Sequence, residues 1–223
     1  MRLSDFDYHL PPSLIAQHPA EQRENARLMV LNRGDGSISH ERFFNVVKYL
    51  RAGDALVMND TRVTPSRLMG FRADTGGKVE LLLISEKEEG EWEALIRPHK
   101  KGLLGTTILF GNGDLKAELL ELREEGRGYV RLSSDGPLKE KLLTYGRTPL
   151  PPYIRRNRGG DSIEAEMSDR ERYQTVIARR DGSVAAPTAG LHFSAALLEK
   201  LAAQGVKVVT ITLHIGPGTF RPV

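Results

Sequence analysis

Between residues 64 and 135 the chain is cut by turn signals into short segments at nearly even spacing, and this rhythm constrains the fold more than any other feature. The segments are Arg67–Arg72, Val79–Ile84, Trp92–Ile96, Thr106–Phe110, Leu115–Leu122 and Tyr129–Leu132. Thr75-Gly76-Gly77, Glu89-Gly90, Gly111-Asn112-Gly113 and Gly126-Arg127-Gly128 separate them. Six short strands at this spacing predict a small antiparallel barrel or sandwich. Leu115–Leu122 leaves a choice, because Leu115, Leu119 and Leu122 also fit a helical period. The acidic run from Glu86 to Glu91 reads as a solvated hairpin tip.

The flanks have a different character. Pro11-Pro12-Ser13 opens a short helix through Gln17, since proline is tolerated in a first turn. Leu28–Leu31 is an apolar strand, and Gly34-Asp35-Gly36 turns the chain into a second strand near Ile38. Phe43, Val46, Val47 and Leu50 lie at helical spacing, with Gly53 placed to end that helix. Ala55–Met58 is a fully apolar strand of the kind a buried sheet contains, and it runs into Asn59-Asp60-Thr61-Arg62.

Beyond the strand-rich stretch, Pro137 to Gly146 reads as a helix. The prolines of Thr148–Tyr153 force an extended segment, and Arg155–Met167 reads as a polar loop. Ser194 is placed to cap a helix carrying Leu197, Leu198 and Leu201, ended by Gly205. Val206–Ile215 is a β-branched strand leading into Gly216-Pro217-Gly218. The simplest architecture is a mixed α/β (α+β) main domain built from both ends of the chain, residues 1–63 and 148–223. A small antiparallel β-barrel, residues 64–147, is inserted in it.

Composition narrows the class. With 223 residues, 39% hydrophobic and 27% charged, the chain has an ordinary globular make-up. It has no cysteine, which excludes a disulfide framework and any thiolate zinc site and fits a reducing compartment. No apolar run approaches ~20 residues, and the N-terminus lacks a signal-peptide core, so a cytoplasmic protein with no membrane partner is expected. Net charge is only +3, which permits a nucleic-acid partner without arguing for one. The clusters Arg97-Pro98-His99-Lys100-Lys101, Arg155-Arg156-Asn157-Arg158 and Arg179-Arg180 read as solvated loops.

Ligands of α/β sheets gather at the carboxyl ends of strands. Two such places are Asn59-Asp60-Thr61-Arg62, offering an acid/base carboxylate and an anion-holding guanidinium, and Leu213-His214-Ile215-Gly216-Pro217-Gly218. Glycines after a strand let a ligand approach the backbone closely. The plain alternatives are an Asx turn with an exposed arginine and a simple turn. Between them in sequence lies Ala185–Phe193, a small-residue loop ahead of the Ser194 helix, whose N-terminus would suit a carboxylate or phosphate. His192 beside it is able to exchange protons, although a lone histidine near a helix start is more often structural. The six histidines show no paired metal-ligand spacing, and neither a Gly-x-Ser-x-Gly elbow nor a Gly-Lys-Ser/Thr phosphate loop is present.

Taken together and in order, several segments resemble the S-adenosylmethionine:tRNA ribosyltransferase-isomerase family. They are Asp7–Gln17, Met58–Val63, Gly77-Lys78-Val79-Glu80, Pro149–Ile154, Arg172–Val176, Ala185–Phe193 and Leu213–Phe220. Each is weak alone; the ordered set spans the chain. The resemblance implies an α/β domain with an inserted β-barrel, in agreement with the reading above. It implies action on tRNA whose wobble position carries 7-aminomethyl-7-deazaguanine. The ribosyl part of S-adenosylmethionine would be transferred and rearranged to epoxyqueuosine, with release of adenine and methionine. S-adenosylmethionine would be a consumed substrate, with neither cofactor nor metal.

Such chemistry requires a base for the weak carbon acid beside the sulfonium, a proton donor for departing adenine, and a water-poor pocket. On the matching positions, Asp60, His192 and His214 are the acid/base candidates. Asn59, Arg62, Thr188, Gly190, Gly216 and Gly218 are candidates for holding anions or the nucleoside. Tyr173 and Gln174 would stack on and hydrogen-bond a base. Arg97, Lys100 and Lys101 make the barrel the candidate grip for the anticodon arm. A monomer is expected. Two departures stand out: family chains continue well beyond Val223, and Pro217 stands where a small residue such as alanine is usual. The runner-up reading is therefore a truncated, non-catalytic tRNA-binding module. An ordinary methyltransferase is disfavoured by the missing Gly-x-Gly-x-Gly loop after an early strand.

Overall fold

The computed structural model describes residues 2–156 and 163–220. Two antiparallel strands open the fold, β1 (Arg27–Leu31) and β2 (Ile38–Arg42), with Leu31 opposite Ile38. Their turn is built by side chains that mimic backbone: Asn32 Oδ1 accepts from the Gly34 N–H and Asp35 Oδ1 from that of Ser37. β3 (Ala55–Asn59) and β4 (Thr61–Val63) follow, broken only at Asp60.

The predicted strand-rich insert is a closed barrel. It comprises β5 (Arg67–Arg72), β6 (Lys78–Glu88), β7 (Glu91–Arg97), β8 (Thr107–Phe110), β9 (Leu115–Leu122) and β10 (Arg127–Ser134), in the order β10-β7-β6-β5-β8-β9. Period-two alternation turns Val79, Leu81 and Leu83 of β6 inward with Ala94 and Ile96 of β7 and Ile108 and Phe110 of β8. The choice at Leu115–Leu122 resolves as a strand. Leu115, Ala117 and Leu119 are buried, while Lys116 and Glu118 between them are exposed, a pattern no helix produces.

Helix α1 (Leu138–Tyr145) closes one end, laying Leu138, Leu142 and Tyr145 on the barrel core. Gly111 makes that closure possible: it turns at φ +55°, and a Cβ there would stand 2.2 Å from a Tyr145 ring carbon.

The chain returns through α2 (Ile163–Arg172) and β11 (Arg180–Ser183), which pairs in parallel with β4. Next come α3 (Ala195–Ala203) and β12 (Lys207–Ile211), parallel to β3 with Lys207 opposite Ala55 and Ile211 opposite Asn59. A second core joins Met58, Phe43, Phe193 and Val206 to Leu197, Leu198 and Leu201 of α3. Mixed α/β structure around an inserted antiparallel barrel is thus what the chain forms.

Several local expectations are corrected. Phe43–Tyr49 is a 3-10 helix rather than an α-helix, and only Phe43 is buried there. Its β-branched pair Val46-Val47 opposes longer helical packing. The helix expected from Pro11 to Gln17 shrinks to one 3-10 turn, Pro12–Leu14, exposed throughout. Too little apolar surface is buried to sustain it. The expected polar loop Arg155–Met167 is helical from Ile163 onward, while residues 157–162 lie outside the described residues. β12 ends at Ile211, four residues short of the expected strand, because Thr212 to Ile215 turn their bonds to other partners, as shown below.

Ser194 caps α3 as expected, its Oγ accepting from the Leu197 N–H at 3.1 Å. The same hydroxyl donates to Glu24. Ser194→Ala is expected to cost about 1 kcal/mol in urea unfolding, because it orphans a helix N–H. A loss close to zero would mean that water replaces the cap without cost.

Candidate active site

The two motifs predicted at strand ends meet in space. β3 and β12 run side by side in register, so their carboxyl ends deliver Asn59-Asp60 and Thr212-Leu213-His214 to one place. Asn59 clamps the second strand's exit: its Nδ2 donates to the Leu213 carbonyl at 2.8 Å and its Oδ1 accepts from the Leu213 N–H at 3.0 Å. The Asn59 amide is therefore committed to the backbone, with its oxygen also accepting from the Thr61 N–H.

Asp60 is buried, at 4% exposure, and both its oxygens are engaged. Oδ1 accepts from the Thr212 hydroxyl at 2.6 Å and Oδ2 from Arg179 Nη2 at 3.1 Å. The Thr212 hydrogen bond, and then Arg179, hold the carboxyl below its ordinary value, so it stays ionised and accepts only. Its backbone is equally tied: the N–H donates to Ile211, and the carbonyl accepts from the Arg179 and Arg180 N–H groups. Arg179-Arg180, expected to be a solvated pair, thus supplies a structural clamp through Arg179. Thr212 was missed by sequence reasoning; its place two residues before His214 at a strand end was the available signal.

His214 lies next to this network. Its Nδ1 is 2.8 Å from the Thr61 hydroxyl, and the ring is exposed. Gly182, at φ +132°, lets the imidazole lie against the β11 backbone: a Cβ there would stand 3.0 Å from the ring. Gly216 and Gly218 border open space, with no atom within 4 Å of a Cβ at either position. Arg62 is exposed at the rim, donating to the Ala178 carbonyl at 2.8 Å and lying 3.9 Å from Asp181.

The remaining candidates sit elsewhere. Thr188, Gly190 and His192 belong to a 3-10 helix, Thr188–His192. Thr188 is exposed, whereas Gly190 packs against Thr175, where a Cβ would come within 2.9 Å of Cγ2. His192 rests on the Phe43 ring at 5.2 Å. Burial, and then the Arg23 charge, hold its imidazolium form down, so it is neutral at pH 7. Among the described residues, no hydrogen bond links His192 to Asp60 or His214. The N-terminus of α3 is already occupied by the Ser194 cap and the Glu24 carboxylate, which removes the expected anion site there.

Tyr173 is buried at 7% exposure against Val63, Ala186, Leu150 and Leu191. Burial pushes its phenol up to about 12. Its ring is enclosed by that core, so it is not open to stack on a base. Gln174 fastens the Val63 backbone, its Oε1 accepting from the N–H at 3.0 Å and its Nε2 donating to the carbonyl at 2.6 Å. These two side chains hold β4 in place. Among the described residues, no group of three or more His, Asp or Glu is close enough to hold a metal ion, and no helix is long and apolar enough to cross a membrane.

Comparison with known proteins gives a consistent result. Two curated relatives are each named S-adenosylmethionine:tRNA ribosyltransferase-isomerase. One, from Acetivibrio thermocellus, is 51% identical over the whole chain, and one, from Caldanaerobacter subterraneus subsp. tengcongensis, is 49% identical. The chain spans 63% of the length of each. A solved structure of S-adenosylmethionine tRNA ribosyltransferase from Thermotoga maritima is 32% identical; the match covers 95% of this chain and 59% of that one, with a TM-score of 0.38. The model of the family described as queuosine biosynthesis protein matches residues 3–223, so the chain belongs to that family.

Proposed function

We propose that this chain transfers the ribosyl group of S-adenosylmethionine to 7-aminomethyl-7-deazaguanine in the tRNA anticodon. The ribosyl group is isomerised to give epoxyqueuosine, and adenine and methionine leave. S-adenosylmethionine is consumed as a substrate, no resident cofactor takes part, and the protein acts as a cytoplasmic monomer. The observation that carries this reading is the meeting of Asp60 and His214 at the paired carboxyl ends of β3 and β12, beside the open Gly216–Gly218 loop. It is supported by the family and by the names of the relatives.

The roles differ from those the sequence suggests. A carboxylate with both oxygens hydrogen-bonded and its pKa lowered is a weak base, so Asp60 positions rather than abstracts. His214 takes the base role. The Thr61 hydroxyl lies 3.4 Å from the Arg180 carbonyl, which can only accept. With its proton directed there, Thr61 accepts from the imidazole Nδ1–H, which leaves the Nε2 lone pair free. That nitrogen takes the proton from the carbon beside the sulfonium, and the imidazolium so formed can return a proton to departing adenine. Arg62 and the backbone at Gly216 and Gly218 receive the methionine carboxylate and the nucleoside.

The test is adenine release from S-adenosylmethionine by the 223-residue chain, with tRNA bearing 7-aminomethyl-7-deazaguanine. Release that requires both substrates is the expected result. A folded chain that binds this tRNA and releases no adenine would be a binding module, and the ribosyl-transfer reading would fall.

A further inference from the structure

Away from the β3–β12 site, a cleft of about 410 Å³ lies between the barrel and the segment 147–156. Its floor is the outer face of three adjacent strands. Strand register aligns Arg67 with Leu82 and Leu95 in one row, and Met69 with Glu80 and Arg97 in the next. A barrel's outer face is ordinarily polar, yet Met69, Leu82 and Leu95 make an apolar strip here, which the chain roofs with Pro149, Leu150 and Pro151. The roof is fixed in place. Arg147 and Arg67 exchange backbone hydrogen bonds at 2.8 and 3.2 Å, and Gln17 ties down the Tyr153 carbonyl and the Arg155 N–H.

The charge in this cleft is unbalanced. Five arginines line it against three carboxylates, and all three carboxylates are engaged. Both Glu80 oxygens face Arg67 at 3.1 Å, both Asp169 oxygens take a bidentate pair from Arg156, and Glu166 accepts the Thr148 N–H. Among the described residues, the guanidinium groups of Arg97, Arg147 and Arg155 have no acceptor. Cations around a concave apolar wall focus positive potential into it. From Arg97 the chain continues directly into exposed Lys100 and Lys101, so the positive field extends beyond the cleft mouth.

We propose that this cleft takes one unstacked nucleotide of a single-stranded RNA loop. The base lies along Met69, Leu82 and Leu95, its phosphate meets Arg97, Arg147 and Arg155, and the next phosphates follow Lys100 and Lys101. The volume suits one nucleotide and no duplex. Planar guanidinium forks match phosphate oxygens, and an apolar strip beside them suits an unpaired base. The proposal rests on the reading of tRNA as the substrate and assigns part of its grip.

The experiment is fluorescence anisotropy with a labelled RNA stem-loop and the matching fully paired duplex, on wild type and on Arg97→Glu/Arg155→Glu. Lys116→Glu/Lys139→Glu carries the same charge change elsewhere on the barrel region and is the control. The expected result is preference for the stem-loop over the duplex. The cleft variant should bind at least about tenfold more weakly, with a salt dependence shallower by about 1.5 in log–log slope, while the control binds as wild type. Equal binding of duplex and stem-loop overturns the proposal. So does a cleft variant with wild-type melting that binds within twofold of wild type, or a control weakened equally. Loss of adenine release with cleft-dependent RNA binding intact would sink the ribosyl-transfer reading and leave this one standing. Release that persists unchanged in the cleft variant, at limiting tRNA, would do the reverse.

Discussion

Asp60→Asn is expected to lower adenine release at least about a hundredfold, while the protein stays folded at pH 7 with a reduced melting temperature. Asn preserves the shape of the side chain but has one acceptor where Asp60 has two, and both are used, by Thr212 and Arg179. With the amide oxygen toward Arg179, the amide nitrogen turns to Thr212, whose hydroxyl must reverse from donor to acceptor, and the charge that holds Arg179 is gone. The Thr212–His214 exit from β12 loses an anchor two residues from the proposed base, and displacements of about 1 Å at a reacting group cost on the order of a hundredfold. The expected signature is a fall in kcat larger than any rise in KM, since Asp60 does not meet substrate.

The same variant makes a statement about pH. The folded carboxyl lies below its ordinary 3.8, chiefly through the Thr212 hydrogen bond. A depressed folded pKa means stability that is complete above the unfolded value and lost as pH falls through the folded one. Melting temperatures of wild type and Asp60→Asn should therefore differ most at pH 6 to 7, and the gap should close only as the pH falls below 3.8 and through the lowered folded value. A gap that persists unchanged into acid would show that the carboxylate charge contributes nothing to the clamp.

Phe110→Ala is expected to cost about 3–5 kcal/mol, the largest loss of stability from one side chain. Phe110 is 1% exposed and among the largest side chains fully enclosed in the barrel. Its ring lies directly over Gly70, where a Cβ would stand 2.6 Å from Cε1. Truncation leaves a cavity that a closed six-stranded barrel cannot collapse around, because every strand is held on both edges. For a chain of this size the melting temperature should fall by roughly 10 °C. Calorimetry checks it, with Phe110→Leu as the volume-sparing control at less than about 1.5 kcal/mol. Gly70→Ala should also destabilise, and by less in the Phe110→Ala background, since part of its clash is with that ring. Additive losses would place the strain at the Leu109 carbonyl, 2.7 Å from the same Cβ.

Much of this was determined by the sequence itself. The barrel was legible because turn glycines and period-two alternation are local signals, and β6 to β10 carry both. The Ser194 cap was legible for the same reason. So was the delivery of Asn59-Asp60 and His214-Gly216 to the exits of strands, as the first motif directly follows an apolar run and the second a β-branched one. The family likeness depends on ordered motifs and needs no coordinates.

Tertiary structure alone decided what each side chain is free to do. Asp60 looked like a base until its two oxygens were found facing Thr212 and Arg179, partners 152 and 119 residues away. Tyr173 and Gln174 looked like base readers until the core claimed one and the Val63 backbone the other. Arg155 read as a solvated charge and Arg97 as part of a grip on the barrel, and only the fold sets the two around one cleft. The physical reason is common to all of these. Hydrogen-bond saturation, burial and field focusing depend on atoms brought together across long stretches of chain, and no local pattern encodes which acceptors remain free once those contacts have formed.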